Sequence, residues 1–174
     1  MTHIGRLGAG DAEELLDAAG RSRSLLEPWV YLPETLVEIR EILSAPPSVR
    51  IGYGVRTTGG DLAGVVNINA IIGGAFLNGF LGYYALRPYD GQGLMRDGLA
   101  QVITRAFTAH ELHRLEANVQ PANVRSASLV AGLGFRFEGH SPRYLRIGGE
   151  WRDHDRYALT AEEWQMPRTL VDPS

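Results

Sequence analysis

Residues 78–95 read NGFLGYYALRPYDGQGLM, a strand pattern that runs into a glycine-rich turn and then into a helix. Gly91 and Gly93 supply the backbone freedom of such a turn and let a ligand approach the main chain closely. The helix that follows directs its unbonded N–H groups and the positive end of its dipole at the turn. The junction therefore predicts a phosphate-binding site, although tight strand–helix turns also occur for purely structural reasons.

The sequence on either side of this junction predicts a mixed sheet. A helix at residues 94–109 and a strand at residues 114–120 follow the turn, so residues 78–120 hold the one expected parallel strand pair. Alternating apolar residues predict four further strands, at residues 49–56, 62–72, 135–147 and 151–159. Three more helices are predicted, from the cap at Asp11 to Gly20, at residues 34–43 and at residues 123–132. This order indicates an α+β (mixed α/β) fold.

Composition excludes several chemistries. The chain has 174 residues, 17 basic residues that are all Arg, no Lys and no Cys. Without Cys there is no disulfide, thiol nucleophile or thiolate zinc site, and without Lys there is no Schiff base or lysine-dependent phosphate loop. A net charge of −3 lacks the strongly basic footprint of a nucleic-acid-binding protein. The absence of a long apolar run or leader pattern predicts a cytoplasmic, soluble protein without a membrane partner.

Three segments carry a resemblance to a known family. They are LRPYDGQGLM at residues 86–95, HRLEANVQPANVRSASLVAGLGF at residues 113–135 and YLRIGGEWRDHDRYALTAEEW at residues 144–164. In this order they resemble the GNAT superfamily of acetyl-CoA-dependent N-acetyltransferases, and within it the RimJ/RimL branch of ribosomal-protein-alanine N-acetyltransferases. Asp90 stands where the family's phosphate motif has Gln or Arg, and Met95 where it has Gly or Ala. One side-chain contact is thereby lost, but the backbone cradle remains.

The resemblance implies a fold and a division of the chain. We expect a central, mostly antiparallel twisted sheet of six to seven strands, flanked by about four helices. Residues 1–174 would form a single N-acetyltransferase domain. Within it, residues 1–48 would supply the helices on the acceptor side, residues 49–164 the sheet and the CoA-binding core, and residues 165–174 a tail.

The resemblance also implies the binding residues. The co-substrate acetyl-CoA would be bound by Ala85, Leu86, Arg87, Gly91, Gln92, Gly93, Leu94, Met95, Asn123 and Ser126. Asn123 is also a natural helix cap, with Ser126 three residues after it, and capping and CoA binding are compatible. His110 and His113 are three residues apart but lie at a helix end without a further ligand, so no metal site is expected.

The proposed reaction needs a base, an acid and an oxyanion site. Glu116 is the first candidate for the base because it interrupts an apolar strand pattern and matches the glutamate proposed for related Rim enzymes. Alternatively, Glu116 forms an ion pair with Arg114 or Arg143. The other candidates for the base are Glu150 and Asp153. Ser126 is the nearest candidate for the acid, with an ordered water as the alternative. Backbone N–H groups of residues 85–87 would hold the oxyanion.

The acceptor is a primary amine whose identity the residues leave open. The first hypothesis is the N-terminal α-amine of a ribosomal or other protein. The alternatives are a small amine such as an antibiotic or polyamine, and a non-catalytic acyl-CoA-binding module. Residues 1–48 carry 4 Arg against 8 acidic residues, a charge that favours a cationic acceptor unless it is an ordinary solvated helix surface. The sequence leaves the oligomeric state open, and a homodimer is one assembly that it allows.

Overall fold

The computed structural model describes residues 2–27 and 29–165. Seven strands form one sheet: β1 (Thr2–Arg6), β2 (Arg50–Thr57), β3 (Leu62–Ile72), β4 (Asn78–Ala85), β5 (Arg114–Val119), β6 (Arg136–Ile147) and β7 (Glu150–Thr160). Four α-helices accompany them: α1 (Ala12–Leu26), α2 (Leu36–Leu43), α3 (Leu94–Thr108) and α4 (Val124–Gly132). The predicted mixed fold with a sheet of six to seven strands and about four helices is confirmed.

The strand order is β1-β2-β3-β4-β5-β7-β6, and every neighbouring pair except β4 and β5 is antiparallel. The parallel pair is the one predicted from the strand–helix–strand pattern. Its crossover is α3, which is long enough to return the chain to the same end of the sheet. The sequence GQGLM therefore lies at the end of β4, where a helix begins beside a central strand.

Apolar side chains bury both faces of the sheet. On one face α3 contributes Leu99, Val102 and Ile103 to the larger core cluster, together with Val130 of α4. On the other face α1 and α2 pack on the sheet in a smaller cluster that includes Leu15. Because side chains alternate along a strand, adjacent residues of β4 serve these two different layers.

Two elements differ from the predictions. Helix α1 does not stop at Gly20 but continues to Leu26. Ala19 before the glycine and Ser22 and Leu26 after it are buried, so packing stabilises the helix on both sides of Gly20. That packing offsets the propensity cost of an interior glycine, about 1 kcal/mol. The prediction also missed β1, which has one large aliphatic residue, Ile4, and owes its place to backbone pairing with β2.

Residues 166–174, nearly all of the predicted tail, lie outside the described residues. Within the described part, no helix combines the length and the apolar character needed to cross a membrane.

Candidate active site

A cavity of about 330 Å³ opens between the end of β4, α1 and the N-termini of α3 and α4. Eight of the residues predicted to bind the co-substrate line it: Ala85, Gly91, Gln92, Gly93, Leu94, Met95, Asn123 and Ser126. Leu25, Leu26, Trp29 and Val30 close the side formed by α1 and the segment after it. The structure therefore brings the glycine-rich turn and the start of α4 to one cavity.

The glycine-rich turn leaves backbone donors free at this cavity. Gly91 and Gly93 have positive φ angles of 76° and 79°, and Gly93 is the N-cap residue of α3. No side chain caps α3, so the N–H groups of its first turn have no side-chain acceptor at this end. A Cβ on Gly93 would meet nothing within 4 Å, which shows open space above the main chain. These features fit a diphosphate, whose oxygens accept hydrogen bonds from such N–H groups.

Two arginines at the cavity add positive charge that the sequence analysis did not assign. Arg96 donates to the carbonyl of Gly132 at 3.1 Å, and the guanidinium of Arg125 lies beside Gly91. Neither forms an ion pair with a carboxylate in residues 2–27 and 29–165. The available signal is their position in the sequence: Arg96 directly follows GQGLM and Arg125 lies within NVRS, the two motifs that the resemblance assigns to CoA binding.

The parallel strands separate where the cavity lies. The pairing between β4 and β5 ends at Leu81 and Ala117, although β4 continues to Ala85 and β5 to Val119. Beyond that pair the strand edges face a gap instead of each other. Such a gap accommodates an extended ligand that hydrogen-bonds to exposed strand edges.

Tyr83 and Ser126 form a hydroxyl pair in the cavity. The two oxygens, Tyr83 Oη and Ser126 Oγ, are 2.7 Å apart. Burial raises the pKa of Tyr83 to about 12, so its phenol stays protonated at neutral pH. Asn123 caps α4 by accepting from the N–H of Ser126 at 3.2 Å, which fixes the start of the helix beside Tyr83. The sequence analysis named Ser126 but missed Tyr83 as its partner.

Leu86 and Arg87 depart from their predicted place. Leu86 is fully buried in the core cluster beneath α1, and neither residue lines the cavity. The N–H of Leu86 donates to the carbonyl of Ala63 at 2.8 Å, and that of Arg87 donates to Ser22 Oγ at 2.9 Å. These two N–H groups are therefore occupied, and the structure corrects the prediction that they would hold the oxyanion.

The carboxylates named as bases lie outside the lining of this cavity. Glu116 is buried at 7% exposure and accepts from Arg114 Nε at 2.9 Å, the ion pair foreseen as its alternative role. Arg114 also pairs with Glu138, whose pKa the two neighbouring guanidinium groups of Arg114 and Arg136 lower to about 2.

The other two carboxylates lie in the last hairpin. Glu150 begins β7 and pairs with Arg152 at 2.7 Å in an exposed position. Asp153 accepts from the N–H of Arg143 at 2.8 Å and lies 3.4 Å from His140. The structure thus does not bring these groups together with Glu116, and the choice of base stays a prediction.

The remaining candidate features have local partners. His110 Nε2 lies 2.7 Å from the hydroxyl of Tyr53, and His113 Nε2 lies 3.0 Å from Glu162. In the described part of the chain, no group of three or more His, Asp or Glu side chains is placed to hold a metal ion. Five of the eight acidic residues of residues 1–48 are ion-paired to Arg: Asp11, Glu14, Asp17, Glu27 and Glu34. This pairing reduces the charge left to attract a cationic acceptor.

The chain is similar in sequence and in fold to known acetyltransferases. The family model for the acetyltransferase (GNAT) domain matches residues 4–136. A ribosomal protein uS5-alanine N-acetyltransferase of Escherichia coli is 39% identical over 108 residues, which cover 62% of this chain and 56% of that relative. The match thus spans little more than half the length of that curated relative.

Solved structures match over nearly the whole chain. RimJ of Mycobacterium smegmatis, in complex with CoA-disulfide, superposes with a TM-score of 0.85 at 29% identity, covering 93% of this chain and 83% of that chain. A ribosomal-protein-S5-alanine acetyltransferase of Vibrio fischeri gives a TM-score of 0.83 at 27% identity, covering 94% and 95%. Because the family model matches most of the length of this chain, the chain belongs to the GNAT acetyltransferase family.

Proposed function

We propose that this protein transfers the acetyl group of acetyl-CoA directly to a primary amine, and that the amine is the N-terminal α-amine of a protein. One observation carries the proposal: a single cavity joins a turn suited to a diphosphate with a half-buried hydroxyl pair, Tyr83 and Ser126. The separation of β4 from β5 lies between these two ends. Family membership supports the same reading.

The chemistry assigns a task to each end of the cavity. Acetyl-CoA supplies a thioester, whose C–S bond breaks as the amine nitrogen forms the new N–C bond. The turn at Gly91 and Gly93, with Arg96 and Arg125, would hold the diphosphate so that the thioester lies in the gap between β4 and β5. The Tyr83–Ser126 pair would then donate a proton to the departing sulfur. Without Cys in the chain, no cysteinyl intermediate can form.

Arg125 provides a test of diphosphate binding. Its guanidinium carries no ion pair in the described residues, so replacing it leaves no partner stranded. We expect Arg125→Gln to raise the KM for acetyl-CoA about 3- to 10-fold, the size of one charge-assisted contact at a partly exposed site. Steady-state kinetics at two salt concentrations would measure it. Arg146→Gln, at the exposed end of β6, removes the same charge and is the control; an equal rise there would refute a local contact.

Glu116 remains our first proposal for the base that takes the proton from the ammonium. An α-amine has a pKa of about 8, so even a carboxylate held in an ion pair can serve through water. We expect Glu116→Gln to lower kcat at least about 10-fold and to shift the pH profile, while acetyl-CoA binding persists. Unchanged turnover in pH-dependent kinetics would instead transfer the role to Glu150 or Asp153.

The acceptor class is supported by the names of the relatives. The Escherichia coli relative is named for the alanine of ribosomal protein uS5. A panel assay with acetyl-CoA tests the class: peptides that begin with Ala or Ser, and small amines including a polyamine. Acetylated peptides support the proposal, whereas acetylated small amines alone would favour the alternative enzyme. Binding of acetyl-CoA without any transfer would favour a non-catalytic module. Light scattering would show whether the protein forms a homodimer.

A further inference from the structure

Asn118 lies at the edge of the gap between β4 and β5. Leu81 and Ala117 are the last paired residues of the two strands. Gly82 and Asn118 follow them directly, so they are the first residues on the two sides of the gap. Because the proposed reaction brings the thioester into this gap, a polar side chain at its edge can contact the reacting groups.

The side chain of Asn118 points to the face of the sheet that carries α1 and α2. Its neighbours Ala117 and Val119 belong to the core cluster on the face of α3, and side chains alternate along a strand. In the proposed function the diphosphate lies at the N-termini of α3 and α4, so the cofactor enters the gap from that side. The amine is then left the opposite side, which is the side that Asn118 faces.

The carboxamide of Asn118 has no hydrogen-bond partner within residues 2–27 and 29–165. Its Oδ1 is shielded from solvent, although the residue as a whole is only half-buried. A shielded oxygen without a donor is unfavourable, and native proteins contain few of them. A ligand that brings a donor to the gap would satisfy this oxygen.

Neighbouring polar side chains do not occupy the Asn118 oxygen. Arg156 lies directly opposite Asn118 on β7. Its guanidinium extends toward β6 instead, since Nη2 lies 3.4 Å from the position that a Cβ on Gly139 would take. Glu116, two residues before Asn118 on the same face, accepts from Arg114 at 2.9 Å, and a carboxylate has no proton to donate. The oxygen of Asn118 is therefore available to a ligand.

The other side of the gap leaves room for a ligand beside Asn118. Gly82 is half-exposed, and a Cβ there would meet one described neighbour within 4 Å, Asn69 Nδ2 at 3.1 Å. Phe80 and Tyr84 flank Gly82 on the same face of β4, and both are only partly buried. Gly82 thus forms the floor of a depression between two aromatic side chains, level with Asn118.

Resting on the proposed function, we infer that Asn118 Oδ1 accepts a hydrogen bond from the acceptor's amine and so orients the nitrogen lone pair toward the thioester carbon. A thioester has only acceptor atoms, whereas the amine has N–H groups to donate, so the amine is the reacting group that fits this oxygen. Because no hydrogen bond to a described residue holds the carboxamide, it can turn its oxygen toward the amine without losing one. Asn118 would then be a catalytic residue beside Glu116, the proposed base.

A binding comparison tests this contact without requiring turnover. One ligand is an Ala-initiated tripeptide, and the other is the same peptide with a propionyl group in place of alanine, which lacks only the amine. The proteins are saturated with CoA. They are the wild type, Asn118→Leu, which removes the oxygen, Asn118→Asp, which keeps an acceptor oxygen, and the control Asn69→Leu. Asn69 is a carboxamide on the same sheet face, one strand farther from the gap.

Calorimetric titration should show a preference for the amine that depends on Asn118. We expect the wild type and Asn69→Leu to bind the Ala-initiated peptide about 10-fold more tightly than the propionyl peptide, as for one hydrogen bond to a charged group. Asn118→Leu should reduce this ratio to about twofold or less, and Asn118→Asp should preserve it. In steady-state kinetics, Asn118→Leu should lower kcat/KM for the tripeptide at least about 10-fold and leave the KM for acetyl-CoA within about twofold.

The outcomes separate this contact from acetyl transfer itself. A binding ratio that persists in Asn118→Leu, that is lost equally in Asn69→Leu, or that is near 1 in the wild type would overturn the inference, as would an unchanged kcat/KM. If no peptide is acetylated, the proposed function fails, but a ratio that depends on Asn118 still supports amine binding at the gap. Asn118→Ala removes the same oxygen and replaces Asn118→Leu if thermal melting shows that the leucine variant is unfolded.

Discussion

Gly93→Val is expected to lower the affinity for acetyl-CoA at least about 100-fold, because two or more charge-assisted hydrogen bonds to the main chain are lost at about 1.5–3 kcal/mol each. Gly93 is the N-cap residue of α3, with a φ of 79°, and the space around its Cβ position is open. A valine side chain would occupy the place of the diphosphate oxygens. Calorimetric titration with acetyl-CoA, and with CoA alone, would measure the loss.

The control for this substitution is Gly60→Val. Gly60 also has a positive φ, 96°, and open space around its Cβ position, but it lies in the turn between β2 and β3. Both variants carry a similar backbone strain of about 1–3 kcal/mol, so thermal melting should show similar destabilisation. Equal loss of acetyl-CoA affinity in the two variants would show that strain, and not the turn's contact with a ligand, is responsible.

Tyr83→Phe and Ser126→Ala are each expected to lower kcat about 100-fold, within the range of a lost general acid, with the KM for acetyl-CoA nearly unchanged. Because the two hydroxyls are 2.7 Å apart and would act as one donor, the double variant should be hardly slower than the poorer single variant. Pre-steady-state measurement of acetyl transfer would separate this chemical step from product release. The control is Tyr144→Phe, which removes a phenol hydroxyl from β6 in the last hairpin, outside the cavity.

The pH dependence provides a second measure of the same pair. A proton donor must be protonated, and burial raises the pKa of Tyr83 to about 12. The rate of the chemical step should therefore show no descending limb due to this donor up to about pH 10. A descending limb near pH 8, or strictly additive effects of the two substitutions, would assign the proton to another group.

Much of the fold could be predicted because local patterns and tertiary packing agree. The turn at Gly91 and Gly93 and the capping by Asn123 depend on short-range geometry, and the single parallel pair follows from the order strand, helix, strand; all three are present. The prediction ends α1 at Gly20 because glycine has a low helix propensity. In the protein the helix continues, since burial of Leu26 offsets that cost.

The site was only partly predictable, since its chemistry depends on which side chains meet across strands. Tyr83 and Ser126 are 43 residues apart in sequence, and nothing local announces their hydrogen bond. The sequence also does not show that Ala63 and Ser22 accept hydrogen bonds from the N–H groups of Leu86 and Arg87. Motifs thus locate the glycine-rich turn, whereas candidate proton donors and oxyanion contacts depend on hydrogen bonds that only the three-dimensional structure shows.

The most direct test of the central claim is tandem mass spectrometry of an Ala-initiated peptide after incubation with acetyl-CoA and the protein. We predict that the acetyl group appears on the peptide's α-nitrogen, that no acetylated protein accumulates beforehand, and that Gly93→Val abolishes the product whereas Gly60→Val preserves it. An unmodified peptide in the presence of bound acetyl-CoA, or an acetyl group that appears first on the protein, would contradict direct transfer in this cavity.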